Sequence, residues 1–203
     1  MGTLNSVCVY CGSGLGNNPI HAEAARILGQ AMAESGVRLV YGGGSVGLMG
    51  TVARSVLEAG GAVTGIIPEF LRSRERPMAE LTELIVTENM HVRKMLMFER
   101  ADAFVALAGG VGTLEELVEQ MTWAQLGRHK KPVLLANIGG FWNPLIRLLD
   151  AMRREQFIRG DLEVRCLVAE RAEDILPMLN DAVAARSREE IDKTAAAEPL
   201  SRM

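Results

Sequence analysis

Two glycine-rich turns and one charged helix start hold the residues whose types and spacing could do chemistry. The first turn, Tyr41-Gly42-Gly43-Gly44-Ser45-Val46-Gly47-Leu48-Met49-Gly50, follows an apolar run and opens an amphipathic one. Bare backbone lets N–H groups approach an anion at a helix N-terminus, which makes Gly43 and Gly44 candidate phosphate contacts. Gly42, Gly44 and Gly47 also fit G-x-G-x-x-G, with Glu69 roughly twenty residues on, where a dinucleotide site places its ribose acid. Close packing of helix on strand is the competing account of the same glycines.

The second turn, Ala108-Gly109-Gly110-Val111-Gly112-Thr113-Leu114-Glu115-Glu116, repeats the pattern. Two such loops at one edge of a parallel sheet converge on a single crevice. Neither continues into Gly-Lys-Ser/Thr, which argues against a Walker A kinase or ATPase. Thr113-x-x-Glu116 reads in two ways. It is a capping box, in which the acid only satisfies the Thr113 N–H. It is equally a carboxylate beside a phosphate loop, where repulsion implies a chemical task at the ligand's other end. Between the turns lies Asn89-Met90-His91-Val92-Arg93-Lys94-Met95-Leu96-Met97, whose Met90, Arg93 and Met97 share one helix face. A guanidinium among thioethers wants an anionic partner, whereas Lys94 and His91 read first as a solvated helix charge and a first-turn residue.

Elements of known kinds must position these groups. Short β-branched runs near 6–10, 37–41, 62–67, 83–87, 103–108, 132–137 and 164–168 alternate with amphipathic stretches near 20–36, 48–59, 89–101, 113–126, 142–156 and 172–185. Asn18 caps the first helix with Pro19 at its opening position. The alternation predicts an α/β fold, a Rossmann-like, doubly wound, mainly parallel sheet of about seven strands. One domain is expected over 1–185. From Arg186 onward the chain is charged and small without an apolar period, and the expectation for 186–203 is a flexible tail.

Composition sets the outer limits. With 203 residues, 48% of them hydrophobic, the chain can bury a real core, and a net charge of −3 offers no field to hold a nucleic acid or an acidic membrane. Nothing approaches the length of a bilayer span, and the first ten residues lack the form of a signal peptide. Met1-Gly2 through Ser6 matches the loose myristoylation pattern, but the first strand follows at once and leaves no linker for an anchor. Cys8, Cys11 and Cys166 suit a reducing compartment, so a cytoplasmic protein is expected. The C-x-x-C spacing of Cys8 and Cys11 has no second pair, and packing thiols are favoured over a metal or redox site.

The motifs Met90-His91-Val92-Arg93-Lys94 and Gly109-Gly110-Val111-Gly112-Thr113-Leu114-Glu115-Glu116 together resemble the signature of the Lonely Guy (LOG) family. Its members are cytokinin riboside 5′-monophosphate phosphoribohydrolases, formerly labelled lysine decarboxylases. The likeness extends over Cys11-Gly12-Ser13, the Gly42 to Gly50 loop, Thr122 to Gly127 and Gly140 to Asn143. Ala108 stands where the family pattern has proline, which frees φ at the loop entry.

The resemblance implies Arg93 and Glu116 as the catalytic pair. It implies substrate contacts from Met90, Lys94, Gly109, Gly110, Val111, Gly112, Thr113, Leu114 and Glu115, with Gly43, Gly44, Ser13, Glu75 and Thr122 as further contacts. The partner is a nucleoside 5′-monophosphate, no cofactor or metal is called for, and a homodimer with the site near its interface is expected. A pyridoxal-dependent decarboxylase fits poorly, because Lys94 is the only lysine within a motif. The rival reading is a non-catalytic nucleotide- or NAD-binding module, supported by the glycine fingerprint at Gly42.

Overall fold

The structure, a computed structural model, describes residues 3–158 and 166–197, with side chains through 188. Seven strands form one all-parallel sheet: β1 (Ser6–Tyr10), β2 (Arg38–Tyr41), β3 (Val63–Pro68), β4 (Glu83–Thr87), β5 (Ala103–Ala106), β6 (Val133–Ala136) and β7 (Leu167–Ala169). Their spatial order is β4-β3-β2-β1-β5-β6-β7. The chain winds outward from β1 to β4, then returns to β1's free edge as β5. Strand order therefore reverses between β1 and β5, where open α/β sheets form a ligand crevice.

Helices cover both faces: α1 (Ile20–Glu34), α2 (Gly47–Glu58), α3 (Arg72–Glu75), α4 (Met90–Glu99), α5 (Val111–Gln125), α6 (Asn143–Arg154) and α7 (Ile175–Ala197). Alternation along β1 shows how. Val7 and Val9 join a core with Leu28 and Met32 of α1, Val52 of α2 and Leu179 of α7. Cys8 and Tyr10 point the other way, into a core with Met97 of α4, Leu117 and Met121 of α5 and Trp142. The indole N–H of Trp142 donates to Ala106 O at 3.1 Å, tying the α6 entry to the end of β5 beside the second glycine turn.

The predicted strands and long helices all occur, with ends shifted by up to three residues except at the carboxyl end of α7; 164–165 lie outside the described residues. Asn18 Oδ1 accepts from Ile20 N–H at 3.1 Å, as the helix-start signal implied. Two differences stand out. The short α3 and the single 3-10 turn before it, Glu69–Leu71, fall where the sequence shows no periodicity. The last helix, read from the sequence as ending near 185, continues to Ala197. Its Ala, Glu, Arg and Lys content favours helix even without an apolar stripe.

Candidate active site

Arg93 lies on the buried face of α4, positioned by a helix whose start Asn89 caps: its Oδ1 accepts from Val92 N–H at 2.9 Å. The guanidinium is buried and pinned by backbone. Nε donates to Ile66 O at 3.1 Å and Nη2 to Gly42 O at 3.4 Å, while Nη1 lies 3.6 Å from Met90 Sδ. Gly42 makes room for it, because a Cβ there would overlap Nη2. Opposite stands Glu116 of α5, its Oε1 3.8 Å from Arg93 Nη2 and its side chain 13% exposed. Burial raises the Glu116 carboxyl from 4.5 to about 7; Arg93 opposes the rise, while Glu115 and Glu75 add to it.

This arrangement removes the capping-box reading of Thr113-x-x-Glu116. The residue at the α5 cap is Gly110, no side chain caps that end, and Glu116 faces Arg93 instead of folding back on its own helix. The cavity in front of the pair has a volume of ≈370 Å³ and is lined from three sides. Gly110, Val111, Gly112 and Thr113 present the open N-terminus of α5. Cys11, Gly12 and Ser13 follow β1. Glu75, Leu71, Met49 and Met90 form the far wall. It lies in the β1–β5 crevice. A second cavity of ≈470 Å³, lined among others by His21, Phe141 and Gly109, shares Gly12, Ser13 and Gly110 with it.

Other candidates lie elsewhere. Lys94 Nζ is held between Glu115 Oε1 at 2.7 Å and Glu119 Oε1 at 2.9 Å. Burial works against its charge, but these hydrogen bonds outweigh it and raise its pKa. An amine so protonated is a poor fit for an aldimine with pyridoxal phosphate. Gly43 packs on Ile67, and Gly44 against Met49 and Glu75, so neither lines the cavity. Gly109 sits under Thr113, its Cα too close to the threonine for any Cβ. Leu114 is exposed on the outer side of α5, and Thr122 spends its hydroxyl on Val118 O at 2.8 Å.

The first glycine turn is not an open phosphate cradle. The α2 start is covered by the β1–α1 loop: Leu48 and Met49 N–H donate to Gly12 O at 3.0 and 3.3 Å, and Leu48 also to Gly14 O at 3.3 Å. Those carbonyls stand where a dinucleotide's pyrophosphate would sit. Gly42 instead clears space for Arg93, and Gly44 for Met49. Sequence reasoning did not single out Cys11, Gly12, Met49 or Leu71 as lining. For Cys11 and Gly12 the signal was available in their place at the carboxyl end of β1, whereas nothing local marks Met49 or Leu71.

The chain is similar to known proteins over most of its length. The family described as "Possible lysine decarboxylase" matches residues 49–179. Cytokinin riboside 5′-monophosphate phosphoribohydrolases of Oryza sativa subsp. japonica and Arabidopsis thaliana are 45% and 43% identical to the chain. They cover 87% and 92% of it, and it spans 73% and 85% of them. The chain belongs to the LOG family. Its fold also resembles that of a molybdenum cofactor carrier protein from Chlamydomonas reinhardtii, with a TM-score of 0.67 over 90% of this chain and 99% of the other. At 21% identity that likeness concerns the fold alone. The LOG-family motifs quoted from the sequence form the α4 and α5 walls of the cavity.

Proposed function

We propose that the chain hydrolyses the N-glycosidic bond of adenosine 5′-monophosphates, including N6-substituted ones, releasing the free base and ribose 5-phosphate. The observation that carries this reading is the Arg93–Glu116 pair, 3.8 Å apart in a cavity that begins at the uncapped N-terminus of α5. The names of the relatives support it. The 5′-phosphate takes the amides of Val111, Gly112 and Thr113 and the positive end of the helix dipole. Its binding energy positions the ribose with C1′ one helical turn further along, before Glu116. Breaking the C–N bond builds positive charge on the sugar. Ionised Glu116 stabilises that charge and takes a proton from the attacking water. Arg93, fixed by Ile66 O and Gly42 O, keeps the Glu116 carboxylate ionised and in place.

The test is release of free base from AMP, GMP, CMP and N6-isopentenyl-AMP, followed by chromatography. Release from the adenine nucleotides, with adenosine slower by about a hundredfold or more, is the expected result. An absence of free base from every nucleotide leaves only a binding module.

We further infer a homodimer with the site near its interface. Val111, 84% exposed at the cavity mouth, and Leu126, 71% exposed at the far end of α5, support this by presenting apolar surface along that helix. Light scattering that finds a monomer at working concentration removes it. Free Cys8, Cys11 and Cys166 support a reducing compartment such as the cytoplasm. Among the described residues no helix is long and apolar enough to cross a membrane.

A further inference from the structure

The cavity contains a second carboxyl that the account above leaves idle. Glu75 ends the short helix α3, and its Oε2 is buried without a hydrogen-bond partner. The segment that carries it is held firmly. Ser45 donates to Glu75 O through its N–H at 3.1 Å and its hydroxyl at 3.4 Å, and Gly44 pairs with Pro77 in an antiparallel bridge. The next residue, Arg76, is forced to φ 43°, a left-handed conformation that costs a non-glycine residue about 1 kcal/mol or more. A rigid mount, local backbone strain, an unpartnered buried oxygen and a place in the cavity lining together mark a group placed for a ligand.

The chemistry then assigns its role. A purine leaves a sugar readily only when a ring nitrogen is protonated, and the cavity wall has few donors. A guanidinium gives up no proton, which removes Arg93. Burial pushes the Cys11 thiol far above its usual range. Glu115 is bound to Lys94, and Glu116 is the carboxylate at the sugar. Resting on the hydrolase reading above, we propose that Glu75 is the general acid that protonates the departing base.

Its surroundings fit. Leu71, Met49 and Met90 make the wall around Glu75 apolar, a seat for a base and not for a phosphate. Burial already raises the Glu75 pKa, with Arg93 opposing, and a base closing over it raises it further. The other charged groups lining the same cavity are Arg93 of α4 and Glu115 and Glu116 of α5. Positive charge developing at C1′ favours the ionised form of Glu116, while the apolar wall favours the protonated form of Glu75, so Glu75 is the acid that holds a proton when the bond breaks. The C1′–N9 bond opens with its electron pair on the base, and a base ring nitrogen takes the Glu75 proton. The water oxygen bonds to C1′ and its proton passes to Glu116. Solvent then returns a proton to Glu75 and removes one from Glu116.

Leaving-group dependence tests this. AMP needs an acid, whereas p-nitrophenyl ribofuranoside 5-phosphate expels a stable anion and needs none. Glu75→Gln should lower kcat on AMP by about 10²–10⁴-fold yet lower it less than about fivefold on the nitrophenyl compound. Glu116→Gln should lose activity on both substrates. Retained nitrophenyl turnover also shows that Glu75→Gln is folded. The assignment is overturned if an active wild type accompanies a Glu75→Gln that hydrolyses AMP within about threefold of it, or that loses both substrates equally. Wild-type protein that releases neither leaving group overturns the hydrolase reading, and this one with it.

Discussion

Glu116 sits where burial and Arg93 pull its proton affinity in opposite directions, and burial wins. The folded-state rise from 4.5 to about 7 has a calculable sign. Below about pH 4.5 both folded and unfolded chains hold the proton, and the group costs nothing. Between 4.5 and about 7 the unfolded chain loses it first, so the folded state is progressively disfavoured, by an amount that levels off above 7 at about 3 kcal/mol. Glu116→Gln is therefore expected to raise stability at pH 8 by up to that amount and to leave it unchanged at pH 4, as read by urea unfolding. Its base-release activity should fall by about 10³-fold, because the carboxylate acts mainly on the charged transition state. In wild type, kcat/KM on AMP should drop about tenfold per pH unit below about 7, as Glu116 takes up its proton. The residue types of this pair were legible from the sequence, because Arg93 shares a face with Met90 and Met97. That Glu116 turns toward it was not, since a capping box and a catalytic acid have the same spacing.

Elements set what those side chains can reach. Arg93 holds its place because the loop after β2 carries glycine at 42 and offers its carbonyl. Gly42→Ala should displace the guanidinium, costing about 1–3 kcal/mol and most of the base-release activity. Gly110→Ala, at a φ of −93° with open space around it, should stay within about 0.5 kcal/mol of wild type in thermal or urea unfolding. The same contrast separates the two glycine turns. Both open helices at one sheet edge and look alike in sequence, but only the α5 start is left free, because the Gly12 and Gly14 carbonyls cover α2. A four-residue helix such as α3 has no period to read. Its place at the cavity came only from the folded chain, although the family resemblance had already named Glu75 as a substrate contact.

At the scale of the whole molecule the sheet divides the core in two. Leu28 of α1 is fully buried on one side and Leu117 of α5 is 1% exposed on the other. Each change to alanine should cost about 2–5 kcal/mol, and the double variant should equal the sum within about 0.5 kcal/mol. A larger deviation would mean that the two cores respond as one. The reversal of strand order between β1 and β5 opens the crevice, and it brings Ser13, Arg93 and Glu116 together from distant parts of the chain.

From the sequence alone came the alternation of buried strands and amphipathic helices, the glycine turns and the resemblance carried by the residues from Met90 to Glu116. All of these are written in local spacing, which the periods of strand and helix convert directly into buried faces. Which helix start stays open, which way Glu116 turns and what Glu75 faces were decided by the tertiary structure. Each depends on atoms far along the chain that occupy, or leave vacant, the same few ångströms of space.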